Sequence, residues 1–126
     1  MNMKRRNFLQ AIPAVAAVLA LPAYARDDDD REVMTVRGRV RSRDMGVTLT
    51  HEHLLASFQP YAEWARQPFT YDRDDVVQRV LPHLMRIREL GCRTFVDATA
   101  VGLGRDAVLL RRLAQASGLN ILATTG

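Results

Sequence analysis

The feature that most restricts the fold is a repeated change of hydrophobic period along residues 47–124. Short apolar runs at 47–51, 94–98 and 119–124 are separated by two stretches whose apolar residues recur every three or four positions. In the first stretch Asp72, Asp74 and Asp75 put acid at a helix start, and Val77, Val80, Leu81, Leu84 and Ile87 form a stripe that ends before Gly91. Pro82 interrupts that stripe and predicts a kink or a late restart. The second stretch occupies residues 106–117 and is closed by Gly118. Alternating strands and helices with nearly continuous apolar strands predict an α/β fold, a parallel sheet covered by helices. Ahead of it, residues 33–36 and 39–41 flank Arg37-Gly38 and predict a short β-hairpin. Three parallel strands leave an unpaired edge, so the expectation is the opening part of a longer protein.

Residues 1–25 carry a separate signal. Lys4, Arg5 and Arg6 precede an apolar stretch over residues 11–21 and then Pro22-Ala23-Tyr24-Ala25, the order of a charged region, an apolar region and an Ala-x-Ala cleavage site. Arg5-Arg6 followed by Phe8-Leu9 resembles a twin-arginine export signal, although Lys4 and Gln10 depart from its usual residues. The apolar stretch is well short of the ~20 residues that span a bilayer. Cleavage after Ala25, a periplasmic or otherwise exported protein and no stable membrane anchor are therefore expected. Asp27 to Asp30 predict a solvated, flexible start over residues 26–32, without the ligand spacing of a calcium loop.

Charge excludes one class of partner. The formal net charge is +4, but beyond residue 25 there are 15 basic and 14 acidic residues. A chain so nearly neutral gives no electrostatic case for nucleic acid or an anionic membrane surface. Cys92 is the sole cysteine, which rules out an intramolecular disulfide and reads as a small buried side chain.

Chemistry concentrates at the end of the first apolar run, where Thr48, Thr50, His51, Glu52 and His53 follow one another. In a strand, residues two apart share a face, so His51 and His53 project together while Glu52 points away. Two imidazoles on one face can share a metal ion, each nitrogen about 2.0–2.1 Å from zinc. Two hydrogen-bonding residues at a strand end are the alternative, because His-x-His alone is a weak signal. His83 reads as a helix-surface residue outside the sheet and not as a third ligand. Asp97, at the end of the second apolar run, could orient a histidine, cap a loop or pair with Arg105. Phe58, Tyr61, Trp64 and Phe69 crowd the connection over residues 57–70, where they could line a pocket or tuck the loop down.

Five blocks in order carry a resemblance. Thr35-Val36-Arg37-Gly38, Gly46-Val47-Thr48-Leu49-Thr50-His51-Glu52-His53, Gly91-Cys92-Arg93-Thr94-Phe95-Val96-Asp97-Ala98-Thr99, Gly104-Arg105-Asp106 and Ala123-Thr124-Thr125-Gly126 resemble the N-terminal part of the phosphotriesterase family, within the amidohydrolase superfamily. The resemblance covers residues 33–126 and implies the first part of a (β/α)₈ barrel. It implies that His51 and His53 bind the more buried of two divalent metals, usually zinc. In that family the other ligands are a carboxylated lysine, two histidines and an aspartate from later strands, and the one lysine here is Lys4, within the export signal. The implied activity is zinc-dependent hydrolysis, a metal-bridging hydroxide attacking a phosphoester, a lactone or a carboxyl ester. The implied partner is a small-molecule ester, and the number of subunits stays open, a homodimer included.

Two rival readings stand beside it. Gly102-Leu103-Gly104-Arg105-Asp106-Ala107 fits a dinucleotide fingerprint between a strand and a helix, though no acidic residue closes the next strand to hold a ribose. A non-catalytic portion of a barrel is the other.

Overall fold

The structure, a computed structural model, describes residues 31–125. The export signal assigned to residues 1–25 and the flexible start as far as Asp30 lie outside the described residues; at the end of that expected flexible start the Arg31 carbonyl accepts the Ser42 N–H at 2.7 Å and Glu32 is already in a strand.

The hairpin forms from β1 (Glu32–Thr35) and β2 (Gly38–Arg41), paired antiparallel with Thr35 opposite Gly38. Its two turn residues are Val36 and Arg37, one position earlier than the sequence suggested. Thr35 is the reason. Its hydroxyl donates to the Gly38 carbonyl at 2.7 Å and accepts the Arg37 N–H at 3.2 Å, closing the turn on itself. Gly38, at φ 119°, then opens β2 in a conformation that side chains disfavour. The Val36 N–H donates to the Ile121 carbonyl at 2.9 Å, which seats the hairpin on the last strand.

The main sheet is parallel, in the order β3 (Val47–Glu52), β4 (Cys92–Asp97), β5 (Asn120–Ala123). Between β3 and β4 lie the single turn α1 (Tyr61–Trp64) and the long helix α2 (Arg73–Glu89); α3 (Ala107–Ser117) joins β4 to β5. Strand–helix–strand–helix–strand is the arrangement the change of period predicted.

Local chemistry sets the helix ends. The Asp72 carboxylate accepts the Asp74 and Asp75 N–H groups at 2.7 and 3.4 Å, and Asp106 does the same for Val108 and Leu109 at 3.0 and 3.1 Å. α2 runs through Pro82 as one helix of 17 residues, so the expected restart does not occur. Pro82 and Gln78 are both exposed, so the proline lies on the outer face of the helix. Gly118 closes α3 at φ 73°, and Arg88 of α2 donates to the Ser117 carbonyl at 2.8 Å.

The core lies between these helices and the sheet. Leu84 of α2, Leu109 and Leu113 of α3, Phe95 of β4 and Ile121 of β5 are buried together, each contributing roughly 1.5–3 kcal/mol. Cys92 joins them as a buried thiol donating to the Thr94 carbonyl at 3.3 Å, the structural role its sequence position suggested. Among the described residues, no helix is long and apolar enough to cross a membrane.

Candidate functional site

Parallel strands bring their C-terminal ends to one side of the sheet, and here those ends are tied to one another. The Ala98 N–H donates to the Glu52 carbonyl at 2.8 Å, and the Thr124 N–H to the Asp97 carbonyl at 3.0 Å. His51 and His53 sit on this edge. β3 is not regular there: three steps from Leu49 to Glu52 face two steps from Phe95 to Asp97 on β4, so one residue bulges. The bulge leaves the two imidazoles adjacent, with ring centres 5.5 Å apart and planes at 78°. Both residues are exposed.

That spacing suits a shared ion. Two imidazoles bound through Nε2 to one tetrahedral zinc, each nitrogen at about 2.0–2.1 Å, hold their ring centres about 5.2 Å apart. His53 Nδ1 lies 2.9 Å from the Thr99 hydroxyl, within hydrogen-bond distance. The donor set, two imidazole nitrogens at the end of a strand, fits a divalent ion of the zinc type. Among the described residues, no group of three or more His, Cys, Asp or Glu side chains is placed to hold a metal ion. His83 is exposed on α2 and borders, with Glu52 and His53, an open groove of about 320 Å³ between α2 and β3.

Asp97 takes one of the three roles open to it. It is 1% exposed, and both its oxygens are engaged by backbone: Oδ2 accepts the Leu54 N–H at 3.0 Å and Oδ1 the Thr99 N–H at 2.9 Å. It thus caps the loops after β3 and β4. Arg105 donates instead to the Thr124 carbonyl. The side chain that meets His53 is Thr99, which reading of the sequence passed over. A hydroxyl two residues beyond a strand-end aspartate is the signal that marks it.

The aromatic connection divides between its two readings. The Phe69 and Tyr71 rings stack at 4.9 Å, and a Cβ at Gly104 would lie 3.6 Å from Phe69. The Ser57 N–H donates to the Leu103 carbonyl at 2.8 Å, so this part of the loop is tucked down. Tyr61 stacks on Trp64 at 5.9 Å and covers Gly102, where a Cβ would come within 3.0 Å of its ring. Phe58 and Tyr61 nonetheless stay largely exposed.

Gly102 and Gly104 therefore make room for aromatic rings. The dinucleotide reading fails at the helix start as well, because Asp106 Oδ1 already accepts the Val108 and Leu109 N–H groups that a pyrophosphate would need. The other oxygen, Oδ2, accepts from the Tyr71 hydroxyl at 2.5 Å and Arg73 Nε at 2.6 Å. Burial first, then the hydrogen bond to Asp106, pushes the Tyr71 phenol up to about 12. Burial would raise Asp106, but hydrogen bonds from Tyr71, Arg73 and the Leu109 N–H outweigh it and hold its carboxyl below the usual range.

Known proteins are similar to this chain. A sequence model of the phosphotriesterase family matches residues 31–126. An aryldialkylphosphatase of Saccharolobus solfataricus is 36% identical over 89 residues, 69% of this chain and 27% of that protein. An N-acetyltaurine hydrolase of Danio rerio is 26% identical over 120 residues, 75% of this chain and 34% of that protein. The solved organophosphorus hydrolase of Deinococcus radiodurans superposes with a TM-score of 0.64 at 31% identity, over 75% of this chain and 28% of its own. The chain thus spans about a third or less of the length of these relatives.

Proposed function

The chain belongs to the phosphotriesterase family, and from that premise we propose that it supplies the first two metal ligands of a hydrolase acting on ester bonds. Its parallel β3–β4–β5 sheet with covering helices is the corresponding part of a TIM-type barrel. The observation that carries the proposal is the His51–His53 pair, two imidazoles 5.5 Å apart on the edge where the parallel strands end. In barrels of parallel strands that end carries the chemistry.

His51 and His53 would hold a divalent ion, zinc by donor type, in a centre of two ions whose other ligands come from outside the described residues. Bound there, such ions supply Lewis acidity, lowering the pKa of water and polarising the ester oxygen. The chain's own residues do the positioning. The Ala98–Glu52 hydrogen bond pins the end of β3 to β4, and the Asp97 carboxylate fixes the backbone directly after His53.

A phosphotriester is favoured over an amide, because the aryldialkylphosphatase is the more similar relative at 36% identity against 26% for the N-acetyltaurine hydrolase. A non-catalytic role is the second reading. One assay separates them. The complete gene product, loaded with zinc, is offered an aryl dialkyl phosphate, an aryl ester, a lactone and an N-acyl amide. Turnover of the phosphate, the ester or the lactone that is lost in His51→Ala/His53→Ala supports the proposal. Turnover of the amide alone would move the substrate class, and none at all would leave the non-catalytic reading.

A further inference from the structure

A histidine can bind a metal ion through one ring nitrogen only when that nitrogen carries no proton, so what the other nitrogen does decides whether the ring is a ligand. At His53 the other nitrogen has a specific neighbour. Nδ1 lies 2.9 Å from Thr99 Oγ1, a contact between residues 46 apart in sequence and on different strand ends. A hydroxyl can donate or accept there. If it donates, Nε2 holds the proton and the ring is closed to metal. If it accepts, Nδ1 holds the proton and Nε2 presents its lone pair.

Thr99 is itself fixed. It is 1% exposed, and its backbone N–H is held at 2.9 Å by Asp97 Oδ1. The second oxygen of the same carboxylate holds the Leu54 N–H at 3.0 Å, immediately after His53. One buried carboxylate therefore clamps both sides of the His53–Thr99 hydrogen bond. It sets the backbone that carries the imidazole and the backbone that carries the hydroxyl, so their separation does not depend on two independent loops.

We propose that Thr99, held in place by Asp97, is a positioning residue that accepts the Nδ1 proton of His53 and so commits Nε2 to the metal ion. The inference rests on the reading of His51 and His53 as ligands. It adds a residue that touches neither metal nor substrate and sets which nitrogen binds.

The test uses zinc alone as probe and the complete gene product as protein. Zinc affinity is measured by competition with a chromophoric chelator for the wild type, Thr99→Val, Thr99→Ser and His51→Ala/His53→Ala. Valine keeps the shape and removes the acceptor, and zinc binding is expected to weaken about 10–100-fold. Serine restores the hydroxyl and is expected to recover most of the loss, which a purely structural effect of the side chain would not produce. Unchanged affinity in Thr99→Val, with zinc lost in the double histidine variant, overturns the inference and leaves the ligand reading intact. Zinc retained in the double variant overturns the ligand reading itself.

A second measurement needs no variant to fold. Nitrogen-15 shifts of the His53 ring in the zinc-loaded wild type are expected to show Nδ1 protonated and Nε2 bound to metal. Metal on Nδ1, or a proton on Nε2, overturns the inference.

Discussion

The Tyr71 hydroxyl donates to Asp106 at 2.5 Å, joining the end of the long connection after β3 to the first turn of α3. Arg73, the first residue of α2, meets the same Asp106 oxygen at 2.6 Å. A single carboxylate therefore caps one helix, anchors the start of another and holds down the loop between them. Replacing Asp106 with alanine removes the cap and both side-chain partners, and is expected to cost about 2–3 kcal/mol. Tyr71→Phe removes one hydrogen bond and should cost about 1 kcal/mol. Urea unfolding measures both, and equal stability of Asp106→Ala and wild type would contradict the clamp.

The clamp also sets a dependence on pH. The Tyr71 phenol, pushed up to about 12, keeps its proton in the folded protein beyond the value of about 10 at which it ionises in an unfolded chain. Its contribution is fully present below about pH 10 and is lost as the pH rises from there towards 12. Asp106, held below the ordinary carboxylate range, acts in the opposite direction: its contribution is present above about pH 4 and disappears as the pH falls through its lowered value. Thermal melts of Tyr71→Phe should lose part of the alkaline fall in stability seen in the wild type. Identical alkaline limbs would contradict the assignment.

Gly118 meets two constraints at once. Its φ is 73°, and a Cβ there would lie 2.8 Å from Arg88 Nη1, the group that caps the last turn of α3 through Ser117. Gly118→Ala is expected to destabilise by about 1–2 kcal/mol from backbone strain, and more if Arg88 is displaced from the Ser117 carbonyl. A chemical denaturation curve superimposable on the wild type would show that neither constraint matters.

The N-terminal segment makes a prediction independent of the fold. We propose that it is an export signal cleaved after Ala25, so that N-terminal sequencing of the protein recovered from its native host begins at Arg26. Replacing Arg5 and Arg6 with lysine should hold the precursor back. A mature protein that retains residues 1–25 would contradict this.

The sequence exposed those parts of the fold that depend on period and punctuation. Apolar runs, acidic helix starts and Gly118 located three strands and two helices within a few residues, because each is a local response to local chemistry. Pro82 does not restart the helix, because its cost depends on whether the freed carbonyl reaches water, and exposure is a tertiary property. The hairpin turn shifted by one residue because the Thr35 hydroxyl, whose hydrogen bonds are invisible to a pattern of apolar residues, closes it.

The site was legible to a similar depth. His51 and His53 stood out from strand alternation, and they are adjacent in the structure even though β3 bulges between Leu49 and Glu52. Asp97 was marked by its position but not by its role, since its partners are backbone amides of two different loops. Thr99 was missed because its partner is 46 residues away, and only the pairing of β3 with β4 brings the two together.

The central claim is that His51 and His53 are metal ligands, and elemental analysis tests it most directly. The complete gene product is purified without chelators, and its divalent metal content is compared with that of His51→Ala/His53→Ala, folding being confirmed by circular dichroism. Bound metal in the wild type and a marked loss of it in the folded double variant is the expected result. A folded double variant with unchanged metal content would contradict the account.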